Sequence, residues 1–407
     1  MPTAKRKLWP IPDHVAADRI FDFDIYADSV AGGDVHSAHM ALHQKAPDVF
    51  FTPRNGGHWM LTRYADVQKL MLNPESFSSA DSFFPPDFAK FRIRLPPQDM
   101  DDPEHMRYRL LLMKFLAPKQ VVLLESRIRE LMTALIDNVV DKGGCEFMAE
   151  VSVPLPVKTF MSVMHMDLAR YAQFVKWANG ILAAESLWQR LPHFMRMTWY
   201  LKSLIKQRKK NPGDDPVSML LAATVDGQRL SDKRVLEVCN LLFLAGLDTV
   251  TNAMTFIAKH LAENPAQQQR LRDHPEQIPA AIEELMRRYS FLNVPRRVAQ
   301  DLEFNGIKMR KNDIVVASLS AASNDERTLS CPAMVDLDRP KSPHVAFNTG
   351  PHNCAGATLA RLELRVFLEE WLARVPPFTV AENFRAQARG GPVMALERLD
   401  LRWQKKS

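Results

Sequence analysis

The residues best suited to chemistry lie in a short loop, 347–356, which carries one of the four cysteines of the chain. The loop has the pattern F-x-x-G-x-H-x-C-x-G, formed by Phe347, Gly350, His352, Cys354 and Gly356. A helical pattern follows at once, and the partial positive charge at a helix N-terminus lowers the pKa of a thiol. We therefore expect a thiolate that acts as a nucleophile or a metal ligand, although a lone cysteine can also be an inert buried side chain. The glycines favour a bulky group that approaches the backbone closely.

An acid and an alcohol, Asp248 and Thr249, stand next to each other in the stretch AGLDTV at 245–250. Glycine and threonine are unfavourable inside a helix, yet this stretch lies in the middle of a long helical pattern. Two interpretations are open. The Thr249 hydroxyl can bond to a carbonyl one turn earlier and bend the helix. Alternatively, the helix opens at this point, and the two side chains carry protons into a dry pocket.

The elements that must position these residues are mainly helical. The pattern at about 231–264 is apolar around most of its circumference, which predicts a buried central helix, and Ser231 is a suitable cap. Further helical patterns lie at 105–140, with a break at Pro118, at 279–290 and at 358–375.

A small β part is predicted after the helix at 279–290. Asn305 and Gly306 stand between alternating residues, which is a strong hairpin signal, and 313–320 has the pattern of a strand. Residues 321–350 are expected to be irregular. Because no repeat, low-complexity segment or long linker interrupts the chain, we expect a single large helical domain over 1–407, with a small β part.

Composition and charge exclude several classes of protein. The net charge is +6, but no dense basic run interleaved with aromatic residues indicates nucleic-acid binding. No C-x-x-C pair indicates zinc or dithiol chemistry, and four cysteines in 407 residues fit a reducing cytoplasm. The longest apolar stretch, 238–247, is too short to cross a bilayer. We expect a soluble cytoplasmic protein with no membrane or nucleic-acid partner.

The cysteine loop resembles the haem-binding loop of the cytochrome P-450 haem-thiolate monooxygenases, and A-G-x-D-T at 245–249 resembles their acid–alcohol pair. The resemblance extends from about residue 60 to the end. It is greatest with the camphor 5-monooxygenase branch, on the stretches MDDPEH, AGLDTVTN, IPAAIEELMRRYS, LEFNGIKMRKND and EEWLARVPPF. The family often has glycine where this chain has Asn348, and asparagine tolerates the left-handed turn that such a position would need.

The resemblance implies the cytochrome P-450 fold, haem b as cofactor and O₂ as co-substrate. Cys354 would be the axial iron ligand, in a loop completed by Phe347, Gly350 and Gly356. Asp248 and Thr249 would deliver protons to O₂. The remaining implied residues are the donors to the haem propionates, His105, Arg109, Arg296 and His352, and a buried structural network, Glu284, Arg287 and Arg339.

The resemblance also implies a pocket for a small hydrophobic substrate. Its candidate lining residues are Phe84, Ile93, Leu241, Leu244, Ala245, Leu292 and Val294. Ile93 falls where camphor-hydroxylating relatives carry a tyrosine that donates to a ketone, and isoleucine cannot donate a hydrogen bond. A bulky, weakly polar terpenoid or norisoprenoid, bound mainly by its shape, is therefore predicted, with hydroxylation of an unactivated C–H bond.

The chain has no nicotinamide or flavin fingerprint and no ferredoxin-like cysteine set, so its electrons must come from another protein. The resemblance implies a 2Fe–2S ferredoxin with an NADH-dependent reductase, and a monomeric enzyme. Arg109, Arg361 and Arg365 are candidates for a docking surface, although the last two also fit an ordinary solvated helix face. The alternatives are a peroxide-driven enzyme, a non-catalytic haem-thiolate sensor or ligand-binding protein, and a helical protein without haem.

Overall fold

The computed structural model describes residues 7–30, 33–82, 84, 94–182, 187–340, 343–382, 384 and 387–405. The fold is mainly α with a small β part, as predicted. The helices are α1 (Val35–Met40), α2 (Leu42–Lys45), α3 (Tyr64–Met71), α4 (Glu104–Leu116), α5 (Pro118–Val121), α6 (Glu125–Asp137), α7 (Pro154–Val163), α8 (Tyr171–Leu182), α9 (Leu187–Lys210), α10 (Pro216–Ala222), α11 (Asp232–Glu263), α12 (Pro265–Asp273), α13 (Ile278–Arg288), α14 (Leu319–Ser323) and α15 (Ala357–Arg374). Short 3₁₀ turns and one π turn join some of them.

The predicted central helix is α11. The Ser231 side chain caps it by accepting a hydrogen bond from the Arg234 N–H at 3.3 Å, and the helix then runs for 32 residues. It is long and apolar enough to cross a membrane by length and composition, because the apolar pattern continues beyond 238–247. However, 65% of its most apolar window is buried inside the protein, as in the core helix of a soluble protein.

The helices around α11 form the main core. Buried side chains of α6, α11, α13 and α15 belong to one hydrophobic cluster. Within it, the Trp371 ring of α15 meets the Phe147 ring edge-on, with centroids 5.2 Å apart. α15 begins directly after the cysteine loop, so burial of its apolar side fixes the end of that loop relative to the rest of the core.

The β part also positions residues of the predicted site. Its strands are β1 (Val49–Thr52), β2 (His58–Leu61), β3 (Phe77–Ser78), β4 (Gly144–Glu146), β5 (Thr224–Val225), β6 (Gln228–Arg229), β7 (Asn293–Val298), β8 (Leu302–Phe304), β9 (Ile307–Met309), β10 (Ile314–Ser318), β11 (Phe378–Val380), β12 (Ala388–Arg389), β13 (Ala395–Leu396) and β14 (Asp400–Trp403). The largest sheet has the order β1-β2-β10-β7-β3, in which β10 is parallel to β2 and antiparallel to β7. Its strand β7 carries Val294 and Arg296 of the predicted site.

The predicted hairpin is confirmed between β8 and β9, where Asn305 and Gly306 have φ values of 50° and 77°. The strand predicted at 313–320 is shorter than expected and ends at Ser318. The Ser318 hydroxyl accepts a hydrogen bond from the Ala321 N–H and so starts the short helix α14. The last two residues of the predicted strand, Leu319 and Ser320, therefore belong to α14.

The Glu284, Arg287 and Arg339 side chains meet as predicted. Arg287, which is completely buried, donates two hydrogen bonds of 2.8 Å to the Glu284 carboxylate, and Arg339 Nε donates to the same group at 3.2 Å. Arg287 also donates to the carbonyls of Ser323, Pro332 and Met334. The guanidinium thus ties α13 to the irregular segment that leads to the cysteine loop.

Candidate active site

The backbone of the cysteine loop is fixed by the protein itself. Asn348 has a φ of 60°, which confirms the left-handed turn predicted there. Gly350 has a φ of 72°, and a Cβ atom at this position would collide with the Met71 carbonyl oxygen. The close approach that requires this glycine is therefore to the backbone of α3. The Cys354 N–H donates to the Phe347 carbonyl at 2.9 Å and closes the loop.

A cavity of about 1790 Å³ adjoins this loop and brings most of the predicted site residues together. Those that line it are Phe84, His105, Arg109, Leu241, Leu244, Ala245, Asp248, Thr249, Leu292, Val294, Arg296, Phe347, His352, Cys354 and Gly356. Gly350, Glu284, Arg287 and Arg339 do not line it, and Ile93 lies outside the described residues. Ala245 is exposed although it belongs to the central helix, and a Cβ atom on Gly246 would meet nothing within 4 Å. Space therefore lies directly against α11.

Burial raises the pKa of the Cys354 thiol, contrary to the lowered value expected from its place before a helix. The Gly356 N–H and the positive charges of Arg109 and Arg361 oppose this rise but are weaker than the loss of water contact. The helix terminus and the two arginines therefore do not bring the pKa of this thiol below its ordinary value. Binding of a metal ion deprotonates a cysteine.

Four nitrogen-bearing side chains gather beside the loop, and only His105 pairs with a carboxylate among the described residues, through Nδ1 and Asp102 at 3.1 Å. Arg296 is buried, which lowers its pKa to about 10, and its Nη1 donates only to the Pro295 carbonyl, at 2.8 Å. Arg109 forms no hydrogen bond or ion pair within the described part of the chain, and burial lowers its pKa as well. The rings of His105 and His352 lie 4.0 Å apart, and the buried His105 Nε2 has no partner among the described residues. Such a group of donors is suited to a ligand with more than one negative charge.

The acid–alcohol pair lies in an uninterrupted helix. α11 shows no opening at Asp248 or Thr249, and the Thr249 hydroxyl donates to the Ala245 carbonyl at 2.9 Å. The interpretation in which the Thr249 hydroxyl bonds to a carbonyl one turn earlier therefore describes the backbone, and not the one in which the helix opens. Asp248 accepts a hydrogen bond from Asn252 Nδ2 at 3.2 Å and lies 3.7 Å from Arg389 Nη2. Burial raises the pKa of Asp248, and the Arg389 charge opposes that rise.

The chain is similar to known proteins of one family. The family model described as "Cytochrome P450" matches residues 145–376. A relative described as "Probable cytochrome P450 127A1", from Sinorhizobium fredii (strain NBRC 101917 / NGR234), is 32% identical over 403 residues, which cover 97% of this chain and 97% of the relative. The chain belongs to the cytochrome P450 family. The solved structures of CYP101J2 and CYP101C1 are each 32% identical to this cytochrome P450 and have TM-scores of 0.90; they cover 97% of it, and it covers 99% and 100% of them.

As a cytochrome P450, the protein is a monooxygenase that uses haem b and O₂. The residues present fit that cofactor. Haem carries two carboxylates, and the half-buried Arg109, the buried Arg296 and the Nε2 atom of His105 are donors without an anionic partner in the described part of the chain. Haem also needs an axial ligand, and the Cys354 thiol opens onto the same cavity. Finally, the free space against Ala245 and Gly246 is the kind of surface that a flat macrocycle can approach.

The three arginines named as candidates for a docking surface have different surroundings in this cytochrome P450. Arg361 pairs with Glu283 at 2.6 Å and stacks over the Phe347 ring, and Arg365 pairs with Glu125 at 2.6 Å. Arg109 lines the cavity. Arg361 and Arg365 therefore have carboxylate partners on neighbouring helices, and the docking surface stays a prediction.

Sequence reasoning missed two residues of the site. Arg389, on the short strand β12, is brought to Asp248 across 141 positions of the chain, and no local pattern announces that contact. Glu363 lies on α15, where its spacing is that of an ordinary helix residue. The structure places it in the cavity wall, 3% exposed, with its Oε1 lacking a hydrogen-bond partner among the described residues. Burial raises the pKa of Glu363 to about 8.

Glu363 is expected to make the stability of the protein depend on pH. Its folded-state pKa of about 8 lies above the ordinary value of 4.5, so the folded state binds the proton more tightly than the unfolded state does. The contribution of Glu363 to the free energy of unfolding should therefore be greatest below about pH 4.5. That contribution should fall by up to roughly 5 kcal/mol as the pH rises towards 8. Glu363→Gln should remove this fall, which denaturant unfolding of the haem-loaded protein at several pH values would measure.

The exposed Glu382 provides a matched control, because Glu382→Gln removes a carboxyl group that is already in water. It should leave the pH dependence unchanged. If the Glu363→Gln protein loses stability with pH as steeply as the parent, Glu363 is ionised in the folded state and the assignment fails.

Proposed function

We propose that this protein is a haem-thiolate monooxygenase that hydroxylates an unactivated C–H bond of a small hydrophobic substrate. The observation that carries the proposal is one cavity lined by the Cys354 thiol, by Arg109 and Arg296, which have no carboxylate partner among the described residues, and by the Asp248–Thr249 pair. In this proposal the Cys354 sulfur would hold the haem iron, and the haem would supply the activation of O₂ that places one oxygen atom in the substrate and releases the other as water.

The remaining site residues would hold the cofactor and move protons. Arg109 and Arg296, with His105 and His352, would bind the two propionates, since a buried guanidinium gains most from a carboxylate partner. Burial raises the pKa of Asp248 above its ordinary value, which favours the protonated carboxyl group that a proton donor needs. The Thr249 hydroxyl donates a hydrogen bond to the Ala245 carbonyl. Its oxygen therefore remains free to accept a hydrogen bond from a water molecule, and that water molecule would relay the proton of Asp248.

A bulky, weakly polar terpenoid or norisoprenoid is the proposed substrate. Phe84, Leu241, Leu244, Ala245, Leu292 and Val294 contribute an apolar wall to the cavity. Such a wall discriminates by shape and not by hydrogen bonding, which suits a hydrocarbon skeleton with few polar groups.

The proposed electron source is a 2Fe–2S ferredoxin with an NADH-dependent reductase. The support for this partner is the likeness to CYP101J2 and CYP101C1 and the resemblance of the motifs to the camphor 5-monooxygenase branch. On the same grounds we propose a soluble, monomeric, cytoplasmic enzyme folded as one domain over 1–407. Because Arg361 and Arg365 are paired, the docking surface would not depend on those two charges alone.

Reconstitution tests the proposed reaction. The haem-loaded protein is first screened with terpenoids and norisoprenoids for the spectral shift that accompanies loss of water from the iron. Compounds that give the shift are then incubated with ferredoxin, reductase and NADH. We expect a hydroxylated product from at least one of them, in proportion to the NADH consumed. If ligands bind but none is oxidised while the reductase and ferredoxin deliver electrons, the non-catalytic sensor or ligand-binding alternative replaces the proposal.

A further inference from the structure

The helix α9 has a solvent-facing side with an unusual composition. Trp188, Met195 and Trp199 are 82%, 61% and 73% exposed. At 100° per residue, these three positions lie within about 40° of one another around the helix axis. Large aromatic side chains rarely remain in water unless they meet a partner, so this apolar row indicates an interaction surface.

The same face continues as a row of positive charge. Lys202, Lys206 and Lys210 are exposed and lie within about 40° of Trp188 around the axis. None of the three forms a hydrogen bond or an ion pair with a residue that the structure describes. By contrast, Arg208, on the opposite side of α9, pairs with Asp215, and Lys209, at the edge of this face, pairs with Asp232. From Leu187 to Lys210 the sequence contains seven basic residues and no acidic one.

This face reaches the mouth of the cavity. Met195, Trp199 and Lys202 are exposed and at the same time line the cavity that holds the site. A molecule bound along the outer face of α9 therefore lies next to an opening of that cavity. An apolar compound dissolved in such a partner could move into the pocket without crossing bulk water.

We propose that the face formed by Trp188, Met195, Trp199, Lys202, Lys206 and Lys210 docks the protein on an anionic phospholipid surface. Tryptophan is suited to the boundary between water and hydrocarbon, and lysine extends its charge toward lipid phosphates while its alkyl chain covers apolar surface. A row of side chains along one side of a helix can lie against a membrane surface, and clusters of lysine on a helix are attracted to anionic lipid. The docking is peripheral, and it revises the sequence-based expectation of no membrane partner.

Sedimentation with lipid vesicles tests the proposal on the haem-loaded protein. We expect binding to vesicles made of equal parts phosphatidylcholine and phosphatidylglycerol, and little binding to phosphatidylcholine alone. The triple change Lys202→Gln, Lys206→Gln and Lys210→Gln should weaken binding about fivefold per lysine, on the order of a hundredfold together. Trp188→Ser and Trp199→Ser should each weaken it about tenfold, and together remove the blue shift of tryptophan emission on binding. Raising the salt concentration should weaken binding of the parent protein.

Matched controls use side chains of the same kind on other surfaces. Lys308→Gln and Lys311→Gln remove exposed lysines near the β8–β9 hairpin, and Leu123→Ser removes an apolar side chain that is 71% exposed. These variants should bind vesicles as the parent does. The proposal is overturned if the parent does not sediment with anionic vesicles, or if the controls weaken binding as much as the α9 variants do. It is also overturned if the α9 variants bind lipid as the parent does but lose binding to an acidic protein such as the ferredoxin. Because sedimentation needs no substrate turnover, failure here leaves the monooxygenase proposal standing.

Discussion

Cys354→Ala is expected to abolish the CO-difference band of the reduced protein, the absorption that gives the family its name. That band requires a thiolate ligand, and Cys354 is the cysteine that opens onto the cavity beside the cationic donors. Alanine leaves the loop backbone able to form its Cys354 N–H to Phe347 carbonyl bond, so the change removes the sulfur with little effect on the turn. Product formation should be lost with the band. The measurement is the difference spectrum of dithionite-reduced protein with and without CO.

Cys331→Ala is the matched control, because Cys331 is an exposed cysteine that lies outside the cavity. Its spectrum should be that of the parent. Circular dichroism of the Cys354→Ala protein should show the parent helix content, so that loss of the band reports the ligand and not the fold. A normal band in a folded Cys354→Ala protein would show that another group holds the iron.

Local patterns were sufficient to predict the elements that carry the site. The α11 helix, the β8–β9 hairpin and the left-handed Asn348 each depend on neighbours within a few residues, where spacing and turn chemistry decide the outcome. The buried Glu284–Arg287 pair was also predictable, because positions three apart share a helix face.

Properties that depend on long-range packing were not predictable in the same way. The pKa of Cys354 is raised because burial outweighs the helix terminus and the nearby charges, and burial is a property of the whole fold. The partners of Asp248 and Arg361 come from distant segments, namely Arg389 and Glu283. The exposed row of side chains on α9 was not predicted either, because an apolar helical pattern in a sequence is usually a core face.

Thr249→Ala is expected to separate electron consumption from product formation. The pocket wall and the Cys354 loop remain unchanged, so substrate should bind and NADH should still be oxidised. Without the hydroxyl group, the proton route from Asp248 loses its last member, and electrons should reduce O₂ to hydrogen peroxide instead of yielding product. We expect product per NADH to fall roughly tenfold or more, with a matching rise in peroxide. Both are measured in the reconstituted system with a compound that gives the spectral shift.

Thr249→Ser tests whether the hydroxyl group is the cause. Serine keeps the oxygen and can make the same bond to the Ala245 carbonyl, so product per NADH should return to near the parent value. Alanine is the better helix former, which means that a defect of Thr249→Ala cannot be ascribed to a weaker α11. Equal product per NADH in the parent and the alanine variant would assign the Thr249 hydroxyl to the helix alone, through its bond to Ala245, and would leave proton delivery to Asp248 and water.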